Sequence, residues 1–543
     1  MYRSISAVAF VVALSISSSS LAQQVKSGYG NLEKKEILAF QPSDAAGSAP
    51  QQTTGSTGSV VLGFDGISQY DVAAVHRNFI PPDTMGAVGT TQYMETSNGG
   101  YAVYDKATGT RDSFVSDVAF WAAAGQTGAE GDSRVMFNKA AGRWIATSFG
   151  ASVSDIQIAV SATSNALGAW SSTKFTGFAG GTADYSTLAL DNNAVYIGTN
   201  NFDGNGAFAG TSLNVIPIHD LFGAGAPSAS NRVVFGTPYD PASYNNADNG
   251  YAIQGVNSTS AGTTGHIQAV SLFNSDLVGY DVKNAGTLAA SLSQTVLAGA
   301  TAYSGDNPGR QPSLMTSNSR VIDTLDDRVG SSVYELNGKV YSVHTVTPLG
   351  SDYTVVRWTI TDAVTKAVLG EGDIGDATHD YYQGSLAVNG VGQVVIGYDR
   401  SGYDPTTGRI TFATRIFRAA GNTLLQTGNE QVLRVSLVDD YHNGSIDGQT
   451  AVGRQRWGDY SAVSIDPNDP SKFWVIGEYA REYNDAAGGH PLGSGRSRWG
   501  TWIAEIDAGA VPEPSTWMTL VLGFGVIGAV VRRRQPVPVA IQV

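Results

Sequence analysis

The stretch DYSTLALDNNAVYIG, residues 184–198, shows the pattern that decides the fold. It opens on an aspartate, passes through small and apolar residues to a turn at Asp191, and continues as a second apolar run. Two short runs rich in β-forming residues, joined by Asp and Asn, are typical of a β-hairpin. The stretch therefore predicts two neighbouring antiparallel strands.

The same pattern recurs along the chain, in seven units that repeat roughly every 50–80 residues. The paired runs are 83–89 with 93–96, 132–138 with 143–147, 184–191 with 194–198, 251–257 with 266–270, 328–335 with 339–343, 382–389 with 393–397, and 459–466 with 472–476. Each interval leaves room for a four-stranded blade, and small residues crowd several first strands, as expected near a propeller axis. The sequence predicts an all-β fold, a single seven-bladed β-propeller. A β-sandwich or a β-helix is the alternative, but a sandwich needs no such repeat and a β-helix repeats at shorter intervals.

The composition fits an exported β protein. The chain has 543 residues, 65 of them glycine, and no cysteine. Without cysteine there is no disulfide framework, thiolate metal site or cysteine nucleophile. The net charge of −14 argues against a nucleic-acid partner, because phosphates require a basic surface.

The N-terminus has the order of a cleavable signal peptide. Arg3 is followed by an apolar stretch from Ile5 to Ile16 and by the small-x-small site Ser20-Leu21-Ala22. We expect signal peptidase to remove residues 1–22. Residues 23–58 are polar and are predicted to form a flexible linker or arm. The propeller is predicted to span residues 59–509.

The other end combines a short motif, an apolar run and a basic cluster between residues 511 and 534. Pro512-Glu513-Pro514 precedes an uncharged run from Trp517 to Val531, and Arg532-Arg533-Arg534 follows it. As a helix the run reaches about 23–25 Å, slightly short of a bilayer core. The arginines predict that residues 535–543 form a cytoplasmic tail.

This order of parts resembles the PEP-CTERM sorting tail, which in that family is read by the membrane enzyme exosortase. The resemblance implies an exosortase-like partner and a precursor held in the inner membrane before delivery to the cell surface or extracellular matrix. An ordinary C-terminal membrane anchor is the alternative. Both interpretations place the preceding domain outside the cytoplasmic membrane.

Residues 156–170 resemble a degenerate Asp-box, the hairpin of sialidase-like propellers, with Asn165 near the position of the aspartate. A sialidase would need three converging arginines, a Tyr-Glu nucleophile pair and an acidic aspartate. Tyr460 with Glu478 is the candidate pair, but the family's Phe/Tyr-Arg-Ile-Pro motif is absent. The weak catalytic candidates are Asp83, Asp132, Arg134, Asp184, Arg328, Arg456, Asp459, Tyr460 and Glu478.

A simpler interpretation is that each repeated aspartate accepts backbone N–H bonds where a strand opens. In either case we expect Asp83, Asp132, Asp184 and Asp459 to lie at one face of a single ring. Ring closure is predicted to come from a strand near residues 60–62 pairing with the chain around residues 500–506.

Metal sites have little support in the sequence. The seven histidines form neither His-x-x-x-His nor His-Glu-x-x-His, so no zinc site is predicted. Residues 203–206 and 466–470 place oxygen ligands on loops, but neither has the full spacing of a calcium loop. A structural calcium ion is therefore possible, and no other cofactor is predicted.

The preferred functional hypothesis is an exported, non-enzymatic propeller that binds polysaccharide or protein at the cell surface. The alternative is a glycan-active hydrolase or lyase, which uses Asp, Arg and Tyr side chains at the mouth of the channel. An enzyme should show a deep pocket where carboxylates converge, whereas a binding protein should show aspartates paired within the chain.

Overall fold

The computed structural model describes residues 52–53, 58–129, 131–238, 249–293, 295–305, 307–312, 320–443, 453–483, 485 and 496–509. The predicted signal peptide, most of the predicted linker and the predicted sorting tail lie outside these residues. The described chain is almost entirely β-structure, with three short helices. These are α1 (Gln69–Val75), α2 (Asp117–Ala123) and α3 (Ile218–Phe222).

The first half of the chain forms three antiparallel sheets. The strands, in chain order, are β1 (Gln52–Thr53), β2 (Ser59–Ser68), β3 (Met85–Val88), β4 (Gln92–Ser97), β5 (Gly100–Asp105), β6 (Arg111–Ser116), β7 (Arg134–Asn138), β8 (Arg143–Phe149), β9 (Asp155–Ser161), β10 (Trp170–Thr176), β11 (Gly181–Asp184), β12 (Ala189–Leu190), β13 (Ala194–Asp203), β14 (Phe208–Pro217) and β15 (Val233–Pro238). Strands β3–β6, β7–β10 and β11–β15 make up one sheet each.

The second half continues the ring. Its strands are β16 (Tyr251–Asn257), β17 (Gly265–Val270), β18 (Leu277–Lys283), β19 (Ser291–Leu292), β20 (Val296–Ala298), β21 (Tyr303–Ser304), β22 (Arg320–Ile322), β23 (Val333–Leu336), β24 (Lys339–Pro348), β25 (Val355–Asp362), β26 (Val368–Ile374), β27 (His379–Val388), β28 (Gln393–Gly402), β29 (Thr411–Ala420), β30 (Thr423–Thr427), β31 (Gln431–Val435), β32 (Gly453–Gln455), β33 (Ala462–Ile465), β34 (Lys472–Tyr483) and β35 (Ser497–Asp507). Strand β1 joins the sheet of β27–β31, and β22 pairs with β32 alone.

Every predicted hairpin is an antiparallel pair in the structure. The all-β propeller is confirmed, but the prediction of seven separate blades is wrong. Five sheets of four to six strands are separate blades. The strands from β16 to β21 and from β23 to β26 instead share one ten-stranded sheet. The fusion arises because Val256 and Asn257 pair in parallel with Val333 and Tyr334.

The ring closes as predicted. Strand β2 pairs antiparallel with β35, so that the N-terminal strand completes the sheet of β33, β34 and β35. The register places Val60 opposite Ile506 and Leu62 opposite Glu505. This pairing joins the two ends of the propeller sequence in one sheet. It leaves no unpaired gap between the first and last sheets, and so it holds the ring closed.

A left-handed residue marks the start of several inner strands. Asp83, Asp132, Tyr185, Ala252 and Gln383 have φ angles of 48°, 51°, 52°, 51° and 54°. A positive φ is uncommon for residues other than glycine, and such residues often cluster at functional sites. In β16 and β27 the strand register shifts at this position, so the unusual backbone bends the strand near the axis.

The core lies between neighbouring sheets, where large aromatic side chains pack against small residues. Trp144, Trp457, Trp474 and Trp499 are fully buried. Gly198 shows how closely the sheets approach, since a Cβ there would lie 2.2 Å from the Ile253 backbone oxygen of the next sheet. The small residues at the predicted inner strands therefore allow backbones to meet around the axis.

None of the helices in the described part of the chain is long and apolar enough to cross a membrane. The predicted span within residues 511–534 is not among those residues. Helix α1 begins at a capping box in which Ser68 and Asp71 exchange hydrogen bonds, and it packs beside β2 and β35 at the closing seam.

Candidate functional site

The starts of the inner strands bring the predicted aspartates together at one end of the ring. The Asp459 backbone N–H donates to Asp83 Oδ1 at 2.7 Å, although these residues lie at opposite ends of the propeller sequence. Asn98 Nδ2 donates to the other oxygen of Asp83 at 2.6 Å. Asp132 lies close enough to Asp184 and Asp459 for their charges to raise its pKa. The four aspartates therefore share one face of the ring, as expected. We call these aspartates and the other candidate residues the network, which comprises Asp83, Asp132, Arg134, Asp184, Arg328, Arg456, Asp459, Tyr460 and Glu478.

Arg456 pairs with two buried carboxylates, those of Asp459 and Asp323. Its Nη2 donates to Asp459 Oδ1 at 2.7 Å, and its Nη1 donates to Asp323 Oδ2 at 3.2 Å. Arg454 lies 3.8 Å from the second oxygen of Asp323. Because Arg456 is only 3% exposed, its charge is committed to these buried acids.

The other two candidate arginines stack on tyrosines. The Arg134 guanidinium lies 3.6 Å from the centre of the Tyr460 ring, and Arg328 lies 4.2 Å from that of Tyr185. Arg328 also makes a two-pronged ion pair with Asp326, at 2.6 and 2.7 Å. Arg134 also lies 5.5 Å from the centre of the Tyr185 ring, so these two arginines share one aromatic partner. All three arginines contact tyrosine rings or acids of the chain itself, which differs from three cations converging on one ligand carboxylate.

The two members of the candidate nucleophile pair have different surroundings. The Tyr460 hydroxyl donates to Asp132 Oδ2 at 3.0 Å. Glu478 is fully buried and lies against Gly458, where a Cβ would be 2.2 Å from Glu478 Oε1. A catalytic role for Tyr460 and Glu478 stays a prediction.

Burial raises the pKa of several acids at this end. The pKa of Asp132 rises to about 7, because burial and the charges of Asp184 and Asp459 disfavour its ionised form. Burial, with help from Asp459 and Asp132, raises the pKa of Asp83 well above its usual range. Burial and the charges of Asp83 and Asp399 do the same for Glu478. Like-charge crowding in a poorly solvated site is the physical cause.

A small cavity adjoins part of this cluster. The cavity next to Arg328 and Asp459 has a volume of about 20 Å³, which is enough for one water molecule. A sugar ring does not fit there. Asp83 and Glu478 are buried, whereas Asp132 is partly exposed.

A much larger cavity opens at the opposite end of the same inner strands. We call it the funnel, and its volume is about 640 Å³. Apolar side chains from around the ring form most of its wall, including Val88, Phe137, Leu190, Leu336 and Val388. Its size falls within the roughly 300–1,000 Å³ of typical ligand pockets.

Two polar side chains that line the funnel, Asp191 and Asn257, are bonded within the chain. Asp191 accepts hydrogen bonds from the backbone of Asn193 and Ala194 and from the Tyr196 hydroxyl. Asn257 Nδ2 donates to the Val333 carbonyl at 3.1 Å. These groups stabilise the turns of the hairpins, so the funnel presents mainly apolar surface.

The two loops considered for calcium form turns. Asp203 Oδ1 accepts from the backbone N–H groups of Asn205 and Ala207, and Asp466 accepts from that of Asn468 and from Lys106. Within the described ranges no group of three or more His, Asp or Glu side chains is arranged to hold a metal ion. A structural calcium ion remains a prediction.

Sequence reasoning missed several residues that complete the network. Asn98 holds Asp83 and also accepts from the Asp132 backbone N–H at 2.9 Å. Asp323 and Asp326 supply the charges that pair with the arginines. The Asp326-x-Arg328 spacing was a usable signal, whereas Asn98 lies in a turn with no distinguishing pattern.

Comparison with solved structures finds similar chains at low identity. A protein of unknown function from Dyadobacter fermentans DSM 18053 aligns at 11% identity with a TM-score of 0.36, covering 82% of this chain and 99% of the other. Drosophila Semaphorin 1b, domains 1–2, aligns at 9% and 0.36, covering 84% and 87%. The neuraminidase-like N10 protein of influenza A/little yellow-shouldered bat/Guatemala/060/2010 aligns at 9% and 0.29, covering 59% and 92%. At these TM-scores the similarities say nothing about the activity of this chain.

No curated protein matches the sequence. Residues 510–535 match the family description "PEP-CTERM protein-sorting motif". The matched range contains the Pro512-Glu513-Pro514 triplet, the apolar run and the three arginines. It implies processing by an exosortase-like enzyme and export through a membrane-anchored precursor. The chain is thus a β-propeller protein that carries a PEP-CTERM sorting motif.

Proposed function

We propose that the ring is an exported, non-catalytic binding module that takes an apolar segment of a partner protein into the funnel. One observation carries the proposal: the funnel is roomy and most of its wall is apolar. Apolar walls gain free energy by removing apolar side chains of a partner from water. The sorting motif implies export, so the partner would be met outside the cytoplasmic membrane.

A polysaccharide ligand is the less favoured of the two binding hypotheses. Sugar hydroxyls need free hydrogen-bonding groups as well as aromatic surfaces. The polar side chains of Asp191 and Asn257 at the funnel are already bonded within the chain. Burying sugar hydroxyls against Leu190 or Val388 would leave them without partners, at a cost of about 1–3 kcal/mol each.

Cleavage of a glycan by a hydrolase or lyase mechanism is the less favoured alternative. Asp132, with a pKa of about 7, has the protonation behaviour of a general acid. However, its carboxylate accepts a hydrogen bond from Tyr460, and the cavity beside the neighbouring Asp459 has room for a water molecule rather than a sugar. We therefore assign the network a structural role.

The test is binding by the exported body, residues 23–509, whose folded part belongs to one compact unit. A displayed library of random peptides and a glycan array would be probed side by side. We expect peptides with apolar side chains to be selected. The double variant Leu190→Ser, Leu336→Ser should weaken their binding at least tenfold, because both side chains line the funnel.

Leu349→Ser is the matched control, since Leu349 is 63% exposed and does not line the funnel. It should leave peptide binding unchanged. Selection of glycans instead of peptides, or equal losses in the control and the double variant, would contradict the proposal. Turnover of a glycan that is abolished by Asp132→Asn would establish the enzymatic alternative.

A further inference from the structure

Lys366, His266 and Asp281 bring three reactive atoms into mutual contact, away from the network and the funnel. His266 Nδ1 lies 2.7 Å from Asp281 Oδ1, and Lys366 Nζ lies 3.1 Å from His266 Nδ1. Lys366 Nζ also contacts the same Asp281 oxygen and the Ala363 carbonyl oxygen. The Lys366 side chain is only 8% exposed, so its amino group lies largely out of water. An amine, an imidazole and a carboxyl group therefore meet within hydrogen-bonding distance.

The fold holds these three side chains in place from two directions. His266 and Asp281 stand directly opposite each other in the antiparallel pair of β17 and β18, so they share one face of the sheet. Lys366 lies in the turn between β25 and β26, with a left-handed φ of 64°. Its stem crosses Gly279 of β18, where a Cβ would lie 2.9 Å from Lys366 Cβ and Cγ. A left-handed lysine costs free energy and persists only where the surrounding structure fixes it, as this packing does.

Lys366 reaches from one half of the ten-stranded sheet to the other. Strands β17 and β18 belong to the half that contains β16, whereas the turn between β25 and β26 belongs to the half that contains β23. The two halves meet through the two-residue parallel pairing of β16 with β23. The chain has no cysteine, so a disulfide cannot join them. A bond between Lys366 and Asp281 would add a covalent link across this junction.

We propose that Lys366 and Asp281 form an intramolecular amide bond between Nζ and Cγ, with His266 as the group that carries the protons. First, His266 Nδ1 takes one proton from the lysine ammonium group and passes it to Asp281 Oδ1. The neutral amine then attacks Cγ of the neutral carboxyl group. Nζ gives up a second proton through His266 to Oδ1, which leaves as water. One N–C bond forms and one C–O bond breaks, and no oxidant or other reactant is needed.

The charges around the cluster set the order of these steps. Burial acts to raise the pKa of Asp281, but hydrogen bonds from His266 and Lys366 outweigh it and hold this pKa below its usual value. The pair therefore rests as carboxylate and ammonium, and proton transfer has to come before bond formation. The Glu335 carboxylate lies close enough to interact with a charge on His266, which favours the imidazolium formed in that transfer. Because the reacting groups are held in contact, even a slow reaction can occur once in each chain.

Peptide mapping of the protein expressed from the full sequence tests the bond. After denaturation and proteolysis, the segments that contain Asp281 and Lys366 should be recovered as one joined peptide, lighter than their sum by one water molecule. Lys366→Arg keeps the positive charge but removes the nucleophilic amine, so the joined peptide should disappear. Lys106→Arg is the matched control, because Lys106 pairs with Asp466 at 2.6 Å elsewhere in the ring. It should leave the joined peptide unchanged.

Two further variants distinguish the amide from an ordinary ion pair. Asp281→Asn should still form the bond, now with loss of ammonia instead of water, although it has no charge to pair with the lysine. His266→Phe should slow the appearance of the joined peptide in newly synthesised protein at least about tenfold. If His266→Phe does not fold, the native map and Asp281→Asn decide. Separate peptides from the native chain would overturn the proposal, and an unchanged rate in His266→Phe would overturn the role of His266.

Discussion

Glu95 and Glu478 are both fully buried glutamates, but their carboxylates have different surroundings. Glu95 accepts hydrogen bonds from the Ile67 backbone and from the hydroxyls of Tyr104 and Thr501. Ile67 and Thr501 belong to β2 and β35 at the closing seam, and Tyr104 belongs to β5 of the neighbouring sheet. Glu478 accepts no side-chain hydrogen bond, and the Thr84 backbone N–H is the group that favours its charged form.

This difference predicts losses of different size for the same substitution. Burial raises the pKa of Glu95 to about 7, so this carboxyl is also mostly protonated at about pH 5. Glu95→Gln should still destabilise the ring by about 1–3 kcal/mol there, because the Ile67 N–H donates to both oxygens and the new NH₂ group would face this donor. Glu478→Gln should cost less than about 1 kcal/mol at about pH 5, since the buried carboxyl is protonated there and the amide is also neutral. Urea unfolding of both variants measures the contrast. Equal losses at about pH 5 would contradict it.

The pH dependence of the Glu478→Gln effect has a definite sign. The pKa of Glu478 is raised by burial, so the folded chain holds this proton more tightly than the unfolded chain. Its contribution to stability is complete below the unfolded pKa of 4.5 and is lost as pH rises through the folded value. The variant lacks that loss, so its stability relative to the native chain should increase from about pH 5 to about pH 8.

Among the elements, β13 and β16 show how closely adjacent sheets pack. Gly198→Ala would place a Cβ 2.2 Å from the Ile253 backbone oxygen, and this oxygen cannot move aside as a flexible side chain can. We expect a loss of at least about 2 kcal/mol in the free energy of unfolding. Gly236→Ala in β15 is the control, because its Cβ would meet no atom within 4 Å. Similar unfolding midpoints for both variants would show that the sheets can separate at no cost.

The sequence predicts the hairpins well because local alternation and turn residues determine them. The DYSTLALDNNAVYIG stretch, for example, contains both of its strands and the turn between them. The fusion of β16 with β23 was not predictable in this way. It depends on a parallel backbone pair between residues far apart in the chain, for which local composition gives no signal.

The candidate site could likewise be predicted only in its local features. Aspartates at strand openings could be placed on one face from the repeat alone. Their roles could not, because each depends on a partner that is distant in the sequence, such as Asn98 for Asp83 or, from another sheet, Asp132 for Tyr460. The funnel was also missed, since its walls are ordinary strand residues that become a concavity only when the ring closes.

For the whole molecule, the sorting motif makes a prediction about processing. Replacing Pro512, Glu513 and Pro514 by alanine should leave a full-length precursor in the inner membrane, because the recognised triplet is lost while the apolar run is intact. Pro536→Ala with Pro538→Ala lies beyond the matched residues 510–535 and is the control. Mass spectrometry of the surface fraction is the measurement. An intact peptide ending at Val543 in the native surface protein would show that the motif acts only as an anchor.

The position of β35 has a mechanical consequence. This strand ends at Asp507, and it is bonded on one side to β2 and on the other to β34. Any tension transmitted from the following residues is therefore applied to an interior strand of the sheet. Pulling along its axis loads two hydrogen-bond ladders in shear, whereas an edge strand would be peeled away one bond at a time. The strand that closes the ring is therefore also the strand that leads to the membrane-anchored segment of the precursor, and two hydrogen-bond ladders resist a pull on it.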